Sequence, residues 1–380
     1  MKKNIAILGS TGSIGKQTLE VVSAFPSFFS VVSIAAKNEI EEIISQIKTF
    51  KPLLVSVASD EVKSKVEAAL SGQNVKIVTG EEGLLEVATH KAVNLVVAAI
   101  PGALSLKAVI GAVKLKKNIA LATKEILVAA GDIFMEEVKN SGVNIFPIDS
   151  EHSAIAQCLM GEKIENIKKI ILTASGGPFL KASPEKMAKV TVKEALGHPT
   201  WKMGPKITVD SATLMNKGFE VIEAHHLFGL DYNKIETVVH PQSVIHSMVE
   251  FVDGSVKAQL GAPDMRIPIQ LALFGMERKV NRWNVLDVYK IKSLTFENVD
   301  MEKFQCLKFA YEAGMKGGTM PAVVNAANEV AVNMFLKNKI TFLDIPIKIK
   351  KAMEAHKLIE KPSLEEIIEA DKKTRELLTP

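Results

Sequence analysis

The chain has 380 residues, of which 47% are hydrophobic and 24% charged, as is ordinary for a globular protein with two or three domains. Lysine and arginine exceed aspartate and glutamate by 47 − 43 = 4, and the basic residues are dispersed, which argues against nucleic-acid binding. No apolar run approaches the roughly 20 residues of a membrane span. The apolar run from Ile5 to Leu8 is too short for a secretory signal.

The two cysteines, Cys158 and Cys306, lie far apart in apolar contexts and form no CxxC pair. Reduced thiols in the protein core are therefore expected, as is usual in the cytoplasm. We expect a cytoplasmic protein that binds neither nucleic acid nor a membrane.

Residues 1–149 alternate short apolar runs with segments of helical period. This alternation indicates βαβ units and a parallel sheet, so the class is α/β and the domain is a Rossmann-like, doubly wound domain. Helices are predicted at EIEEIISQIKTF and KEILVAAGDIFMEEVKNSG. Strands are predicted at NIAILG, FSVVSIAA, LLVSVAS, VKIVTG, NLVVAAI, NIALAT and VNIFPID.

The pattern changes after residue 150. A strand is predicted at IKKIILTAS, a helix at SATLMNKGFEVIEAHHLFG, and a hairpin at SVIHSMVEFVDGSVKAQLG with a type I′ turn at Asp253-Gly254. We expect an α+β catalytic domain over 150–275, a linker over 276–300 and a C-terminal helical domain over 301–380. In the last of these, Thr319 would cap the helix MPAVVNAANEVAVNMFLKNK.

Glycines 9, 12 and 15 stand directly between the first strand and the first helix. Such glycines allow a tight turn and let backbone N–H groups approach a pyrophosphate at the helix N-terminus. The spacing is GxxGxxG rather than GxGxxG, so a simple glycine-rich turn is the alternative interpretation.

Lys37 and Asn38 follow the second strand, where an NAD-binding protein usually carries an acidic residue. A cation at that position attracts a 2′-phosphate, which favours NADP(H) over NAD(H). The alternative is that Lys37 is a solvated loop lysine.

The segment VDSATLMNKGFEVIEAHH places Asn216 and Glu220 on one helical face, with Lys217 beside them. Together with Ser211 and Ser175, the lysine and asparagine suit a phosphate monoester, because they supply charge and several hydrogen-bond donors.

Three carboxylates suggest a cation site. Asp149 and Glu151 lie at the junction of two apolar segments, and Glu220 could reach them if its helix packs nearby. Oxygen ligands of this kind bind Mg²⁺ or Mn²⁺ rather than Zn²⁺. The alternative is that these carboxylates are solvated.

The segment GHPTWKMGP sets His198, Trp201 and Met203 between glycines and prolines. An aromatic residue in such a segment suggests a lid that closes over a ligand. A buried loop anchor is the alternative.

Taken together, these segments resemble the 1-deoxy-D-xylulose 5-phosphate reductoisomerase family across nearly the whole chain. The matching stretches are GSTGSIG, KN at 37–38, TKE at 123–125, DSEH at 149–152, SGGPF at 175–179, HPTWKMGPKITVDSATLMNKGFEVIEA at 198–224, HPQSVIHSM at 240–248, GSVKAQLGAPDMR at 254–266 and NAANE at 325–329.

The resemblance implies a role for each matching residue. The metal ligands would be Asp149, Glu151 and Glu220, and the catalytic residues Lys124 and Glu151. The substrate would be bound by Lys124, Ser150, Glu151, Ser175, His198, Trp201, Met203, Ser211, Asn216, Lys217 and Glu220. NADPH would be bound by Thr11, Gly12, Ser13, Ile14, Ala36, Lys37, Asn38, Thr123, Glu125 and Gly204.

The chain departs from the family pattern on the cofactor side. Ala36 stands where glycine is common, and it fits only if its φ is negative. Thr123 stands where asparagine is common, and Pro101 lies where a glycine-rich turn is usual. These departures concern the cofactor geometry and not the reaction.

The resemblance implies NADPH- and divalent-metal-dependent isomerisation and reduction of 1-deoxy-D-xylulose 5-phosphate to 2-C-methyl-D-erythritol 4-phosphate in non-mevalonate isoprenoid biosynthesis. Mg²⁺ or Mn²⁺ is expected, with Co²⁺ as a further candidate, and a homodimer could pair through the hairpin edge. The alternatives are another NADP-dependent dehydrogenase of a phosphorylated or semialdehyde substrate, which a catalytic cysteine would favour, and a non-catalytic NADPH-binding sensor.

Overall fold

The computed structural model describes residues 2–70, 74–102, 105–201 and 203–379. They divide into two compact units. Unit 1 contains the described residues up to Ile126, with Phe134–Ser153 and Asp264–Asn284. Unit 2 contains Leu127–Ile133, Ala154–Pro263 and the described residues from Val285 onward.

Strands and helices alternate through the first part of the chain, and helices dominate the last part. The strands are β1 Lys3–Leu8, β2 Phe29–Ala35, β3 Leu54–Val57, β4 Lys76–Thr79, β5 Leu95–Ala98, β6 Asn118–Leu121, β7 Ile145–Pro147, β8 Ile167–Ala174, β9 Ile235–Val239, β10 Ile245–Phe251, β11 Val256–Leu260 and β12 Glu297–Asn298. The helices are α1 Ser13–Ala24, α2 Ile40–Phe50, α3 Asp60–Ala69, α4 Gly80–Thr89, α5 Leu106–Lys114, α6 Glu125–Ser141, α7 Ser150–Cys158, α8 Pro184–Met187, α9 Val192–Ala195, α10 Pro205–Ala212, α11 Met215–Phe228, α12 Arg266–Leu273, α13 Gln305–Lys316, α14 Met320–Leu336, α15 Asp344–Ala355 and α16 Leu364–Leu378.

Unit 1 is built on a seven-stranded parallel sheet in the order β4-β3-β2-β1-β5-β6-β7. All seven predicted strands are confirmed. Continuous apolar runs such as Ile5–Leu8 are fully buried, as expected for a sheet covered on both faces. The strand order reverses at β1, which places the topological switch point between β1 and β5.

The loop after β1 lies directly against the end of β5. Gly9 has φ 90°, and a Cβ there would stand 2.7 Å from the carbonyl oxygen of Ala99. Any larger residue would therefore push the loop away from the switch point, which explains the first glycine of the motif.

Unit 1 also contains a returning segment, Asp264–Asn284. Helix α12 packs on α1, and the Phe274 ring lies 4.8–5.2 Å from the rings of Phe25, Phe28 and Phe29. The predicted boundary between residues 275 and 276 therefore differs from the division in the structure. The reason is that the apolar side chains of this segment complete the core of unit 1.

Unit 2 contains a five-stranded mixed sheet in the order β11-β10-β8-β9-β12. The predicted hairpin is confirmed as β10 and β11, but its turn is not type I′. Phe251 pairs with Ser255, Gly254 N–H donates to the Phe251 carbonyl, and only Gly254 has a positive φ, 83°, in the loop between them. A three-residue loop with its glycine in the left-handed region fits this pattern.

The C-terminal segment is helical, as predicted, and shares its core with α10 and α11. Phe219 and Ile222 of α11 belong to the same buried cluster as Phe309 of α13 and Val323 of α14. The C-terminal helices therefore pack directly around the helix that carries Asn216, Lys217 and Glu220.

Two predicted details of these helices are wrong. The single helix expected from Ser211 is broken at Leu214, whose φ is 60°, so α11 begins only at Met215. Thr319 precedes α14 but does not cap it, because its hydroxyl contacts His356 Nε2 at 2.7 Å and accepts from the Ile359 N–H. Tertiary contacts replace the local cap.

Across residues 2–70, 74–102, 105–201 and 203–379, every helix is too short or too polar to cross a lipid bilayer. Cys158 and Cys306 are free and buried, which confirms that they are core thiols.

Helix α6 is kinked at Ala130, whose φ is −141° and ψ 34°. The kink lies beside His226 of α11, and a Cβ on Gly131 would stand 2.2 Å from that imidazole ring. Burial and the neighbouring His225 lower the pKa of His226 to about 4, and the carboxylate of Asp132, 3.7 Å away, offsets this only in part. His226 is therefore neutral in the folded protein at pH 7.

We expect this histidine to make the protein less stable in acid. The unfolded chain binds a proton at His226 near pH 6.5, whereas the folded chain does so only near pH 4. Its stabilisation is complete above pH 6.5 and is lost as the pH falls toward 4, by about 2 kcal/mol at pH 5. Urea unfolding at pH 7.5 and pH 5 should show that wild type loses about 2 kcal/mol more than His226→Gln. Equal losses in both proteins would contradict this assignment.

Candidate functional site

The residues of unit 1 that are predicted to bind the cofactor, which are all of that set except Gly204, lie at the carboxyl edge of the parallel sheet. The N–H groups of Gly9 and Ser10 donate to the Ala35 carbonyl at the end of β2, so the glycine loop and the Lys37–Asn38 pair are neighbours. Thr11, Gly12, Ser13 and Ile14 line the loop and remain partly or fully exposed. Nucleotides bind at this edge in doubly wound sheets.

The departures from the family pattern are accommodated. Ala36 is not among the positive-φ residues of the described chain, which meets the condition set by its side chain. Thr123 is buried, and its hydroxyl donates to the carbonyls of Ala98 and Ile100, 3.2 and 2.9 Å away. Thr123 therefore joins the ends of β5 and β6. Pro101 lies in the loop after β5, and Ala103 beyond it is outside the described residues.

The same edge of the sheet carries the first two candidate metal ligands. Lys124 follows β6, Asp149 follows β7, and the Lys124 ammonium lies 2.5 Å from the Asp149 carboxylate. Glu125, also nearly buried, opens α6 beside Lys124. Burial alone would raise the pKa of Asp149, but the Lys124 charge and a hydrogen bond from His152 hold that pKa well below its usual range. Asp149 is therefore an ionised carboxylate.

Glu151 lies in the first turn of α7 beside Asp149. Its N–H donates to the Asp149 carboxylate at 3.3 Å, and its own carboxylate accepts from the Ser150 hydroxyl at 2.6 Å. The structure thus brings Lys124, Asp149, Ser150 and Glu151 together in unit 1.

Unit 2 brings together the candidate phosphate ligands Ser175 and His198. The N–H groups of Thr200 and Trp201 donate to His198 Nδ1, at 3.1 and 2.9 Å. In the neutral ring the proton therefore sits on Nε2, which donates to the Ser175 hydroxyl 3.0 Å away. Burial lowers the pKa of His198, which favours this neutral state.

Ser211 lies close to the loop that follows Ser175, because the two backbones approach each other at Gly177. Gly177 has φ 64°, and a Cβ there would stand 2.8 Å from the Ser211 carbonyl oxygen. A glycine is required because the loop after β8 lies directly on α10. Ser175 and Ser211 are therefore held on neighbouring segments of unit 2.

The third group occupies the first two turns of α11. Glu220 is 1% exposed; its carboxylate accepts from the Asn216 amide at 2.5 Å and forms an ion pair with the Lys217 ammonium. The predicted shared face of Asn216 and Glu220 is confirmed. Two predicted phosphate ligands therefore contact the predicted metal ligand directly.

The candidate lid residues precede α10. The half-buried Trp201 has its ring centroid 6.2 Å from that of His246, and Met203 is also half-buried. Lys202, between them, lies outside the described residues. Gly204 occupies the N-cap position of α10. Sequence reasoning did not single out His246, although it lies in the matching stretch HPQSVIHSM.

A buried polar network that no local sequence pattern predicts lies next to the candidate phosphate ligand Ser211. Asp210, next to Ser211, accepts from the Asn328 amide at 2.8 Å and pairs with the Lys206 ammonium at 2.9 Å. Both Asp210 and Asn328 are almost fully buried. The next residue, Glu329, pairs with Arg375 of α16 at 2.7 Å. The NAANE motif therefore holds α14 to α10 and α16.

We expect the Asn328–Asp210 hydrogen bond to support this arrangement. Asn328→Ala should lower the free energy of unfolding by about 1.5–3 kcal/mol, because a buried charged acceptor loses a donor. Asn333→Ala, an exposed asparagine on the same helix, should change it by less than about 0.5 kcal/mol. Urea unfolding of the three proteins measures both values, and a small change for Asn328→Ala would show that the bond contributes little.

Models of one protein family match the chain in three consecutive regions. Residues 5–131 match 1-deoxy-D-xylulose 5-phosphate reductoisomerase, and residues 145–228 match the C-terminal domain of that enzyme. Residues 260–377 match the DXP reductoisomerase C-terminal domain.

A 1-deoxy-D-xylulose 5-phosphate reductoisomerase of Bacillus thuringiensis subsp. konkukian is 52% identical over 99% of this chain and 97% of its own. The enzyme from Zymomonas mobilis, solved in complex with NADPH, is 40% identical with a TM-score of 0.92 over 99% of this chain and 97% of that one. A further reductoisomerase, solved with NADPH, fosmidomycin and magnesium, is 41% identical with a TM-score of 0.94 over the same shares. The chain belongs to the 1-deoxy-D-xylulose 5-phosphate reductoisomerase family.

Proposed function

We propose that the chain isomerises 1-deoxy-D-xylulose 5-phosphate and reduces it to 2-C-methyl-D-erythritol 4-phosphate, with NADPH and a divalent cation. The observation that carries this proposal is the match to the family, which at 52% identity covers 99% of this chain. The reaction belongs to non-mevalonate isoprenoid biosynthesis.

The residues fit a hard divalent cation. Asp149 and Glu151 in unit 1 and Glu220 in unit 2 offer only carboxylate oxygens, the ligands that Mg²⁺ and Mn²⁺ prefer. Glu220 is nearly inaccessible to solvent and is held by Lys217 and Asn216. A buried carboxylate of this kind needs positive charge nearby, and a cation would add to that of the lysine.

The proposed chemistry separates into a rearrangement and a hydride transfer. When bound, the cation would stabilise negative charge on the substrate oxygens during the rearrangement, and NADPH would supply the hydride that reduces the resulting aldehyde. Glu151 would move the proton of the reacting hydroxyl, since its carboxylate already accepts from a hydroxyl, that of Ser150. Lys124 would hold its ammonium beside the developing oxygen charge.

The substrate phosphate would be bound by residues of unit 2. His198 would donate from Nε2 to the phosphate instead of to the Ser175 hydroxyl. Ser175 and Ser211 would donate hydroxyl protons, and Asn216 and Lys217 would add amide and ammonium donors. Since binding occurs away from the reacting carbons, its energy can be used to orient the reacting end of the substrate. Trp201 and Met203 would exclude water from the bound substrate.

The cofactor would lie along the carboxyl edge of the sheet in unit 1. Lys37 and Asn38 would contact the 2′-phosphate, and Thr11, Gly12, Ser13 and Ile14 the pyrophosphate, with Ala36 behind them. Thr123, Glu125 and Gly204 would lie toward the nicotinamide half.

The alternative of a cysteine-dependent semialdehyde dehydrogenase is not favoured. Burial raises the pKa of Cys158 to about 11 and that of Cys306 to about 12, so neither thiol is a ready nucleophile. A non-catalytic NADPH sensor would have no use for the phosphate and carboxylate sets.

We expect turnover to depend on the cation and on Glu220. NADPH absorbance in the presence of 1-deoxy-D-xylulose 5-phosphate should stay constant with metal-stripped enzyme and fall when Mn²⁺ is added. Glu220→Gln should abolish turnover, because the amide cannot supply anionic charge to the cation. NADPH binding, measured by fluorescence, should stay within about twofold of wild type, since the cofactor loop is in the other unit.

The control is Glu236→Gln, which removes an exposed carboxylate paired with Lys169 at 2.7 Å in unit 2. It should keep wild-type turnover and wild-type Mn²⁺ affinity by electron paramagnetic resonance, whereas Glu220→Gln should bind Mn²⁺ at least tenfold more weakly. Unaltered Mn²⁺ affinity in Glu220→Gln would remove Glu220 from the ligand set. Turnover without metal would remove the cation from the mechanism.

The proposal extends to a cytoplasmic homodimer. Two free core thiols suit a reducing compartment. Strand β11 forms one edge of the second sheet, with Val256 50% and Leu260 40% exposed. An exposed apolar edge strand is a template for pairing with a second copy.

We expect lysine substitutions on strand β11 to convert the dimer to a monomer. Light scattering should give wild type twice the chain mass of 41.3 kDa and give Val256→Lys/Leu260→Lys the single mass, because charged side chains block edge pairing. Val280→Lys, at an 82% exposed position outside the sheets, should remain a dimer. A monomeric wild type, or a dimeric double variant, would exclude this edge as the interface.

A further inference from the structure

One carboxylate lies between the glycine loop and the Lys37–Asn38 pair. A single oxygen of Glu39, Oε2, accepts from the Thr11 hydroxyl at 3.0 Å and from the Asn38 backbone N–H at 3.1 Å. Thr11 and Asn38 are both proposed NADPH contacts, one toward the pyrophosphate and one toward the 2′-phosphate. The Glu39 carboxylate therefore accepts hydrogen bonds from the same two donors that the cofactor phosphates would need.

Neighbouring side chains support this arrangement, because α2 is bound both to the glycine loop and to α1. The Gln46 amide donates to the Ser10 carbonyl at 3.0 Å, and the Lys16 ammonium lies 2.9 Å from the Glu42 carboxylate. Glu39, at the N-cap of α2, is therefore held close to the loop and has little freedom to move away as a whole.

Glu39 is ionised at neutral pH. Partial burial would raise its pKa, but hydrogen bonds from nearby backbone N–H groups and from Thr11 outweigh this and lower the pKa. The helix N-terminus favours the same state, because its N–H groups carry partial positive charge.

We infer that Glu39 sets the nucleotide selectivity of this chain by opposing a 2′-phosphate and accepting from a 2′-hydroxyl. The inference rests on the proposed cofactor site. An acidic side chain shortly after the second strand is the group that binds the ribose hydroxyls of NAD, and here it stands two residues beyond the lysine that would attract the phosphate of NADP.

The two nucleotides would meet different charges at this position. With NADPH, the 2′-phosphate would be attracted by Lys37 and repelled by Glu39, and it would compete with Glu39 for the Asn38 N–H. With NADH, the ribose 2′-hydroxyl can donate a hydrogen bond to the Glu39 carboxylate. The chain should therefore prefer NADPH less strongly than Lys37 and Asn38 alone would make it.

The test is to measure the Kd of NADPH and of NADH by nucleotide fluorescence, without substrate or metal. Glu39→Gln should lower the Kd of NADPH about 3–10-fold, because a like charge a few ångströms from the 2′-phosphate is removed. It should raise the Kd of NADH about 2–5-fold, because the acceptor of the 2′-hydroxyl loses its charge. The amide oxygen can still accept from Thr11, so the loop should keep its position. The tightening should shrink at 0.5 M salt, where exposed charges are screened.

Glu41→Gln is the matched control, since Glu41 is an exposed carboxylate in the first turn of the same helix. It should change both constants by less than about twofold. The selectivity role is overturned if Glu39→Gln changes the Kd of NADPH and that of NADH by the same factor. It is also overturned if Glu41→Gln gives the same result as Glu39→Gln.

Lys37→Ala separates this inference from the proposed site. It should weaken NADPH at least tenfold more than NADH, because only NADPH carries the 2′-phosphate. Equal weakening would show that the 2′-phosphate does not lie at Lys37 and would overturn the proposed cofactor site, and with it the role of Glu39. A selective loss in Lys37→Ala with no selective change in Glu39→Gln would leave the cofactor site standing and overturn the inference alone.

Discussion

The site depends on the requirement that a carboxylate removed from water must keep positive charge beside it. Two buried carboxylates each have a lysine of the same unit beside them: Asp149 pairs with Lys124, and Glu220 pairs with Lys217. Each lysine is also a proposed substrate ligand. This double use is chemically possible because an ammonium has three N–H donors, so a lysine can hold a carboxylate and still donate to a substrate oxygen.

The geometry of unit 1 follows from its parallel sheet. Strands β2, β1, β5, β6 and β7 are consecutive neighbours, and their carboxyl ends carry Lys37, the glycine loop, Ile100, Lys124 and Asp149 in that order. Four strand spacings separate the first from the last, or about 19 Å. The sheet therefore places the residues proposed to bind the nucleotide phosphates and the proposed metal ligand Asp149 along one edge. Neither position depends on the conformation of a long loop.

Much of this could be predicted from the sequence, because local patterns determine it. The seven strands follow from continuous apolar runs, and the Asn216–Glu220 face follows from helical period. What could not be predicted depends on distant contacts: Phe274, assigned from the sequence to the domain over 150–275, lies among the rings of Phe25, Phe28 and Phe29 in unit 1. Likewise, the Thr319 hydroxyl contacts His356, which lies 37 residues away, so the local capping rule fails. The partnership of Asp210 with Asn328 spans 118 residues and leaves no local signal.

The residues proposed to bind the substrate and those proposed to bind the nucleotide 2′-phosphate differ in how well they tolerate substitution. Ser211 lies beside Asp210 in a buried network, and Glu220 is buried with Lys217, so substitution there affects folding as well as binding. Lys37, Asn38 and Glu39 are exposed, and exposed positions outside special conformations tolerate substitution at little cost in stability. In the proposed site, recognition of the phosphorylated substrate would therefore be tied to the fold. Nucleotide preference would instead be set by three adjacent surface side chains and could change without disturbing the core.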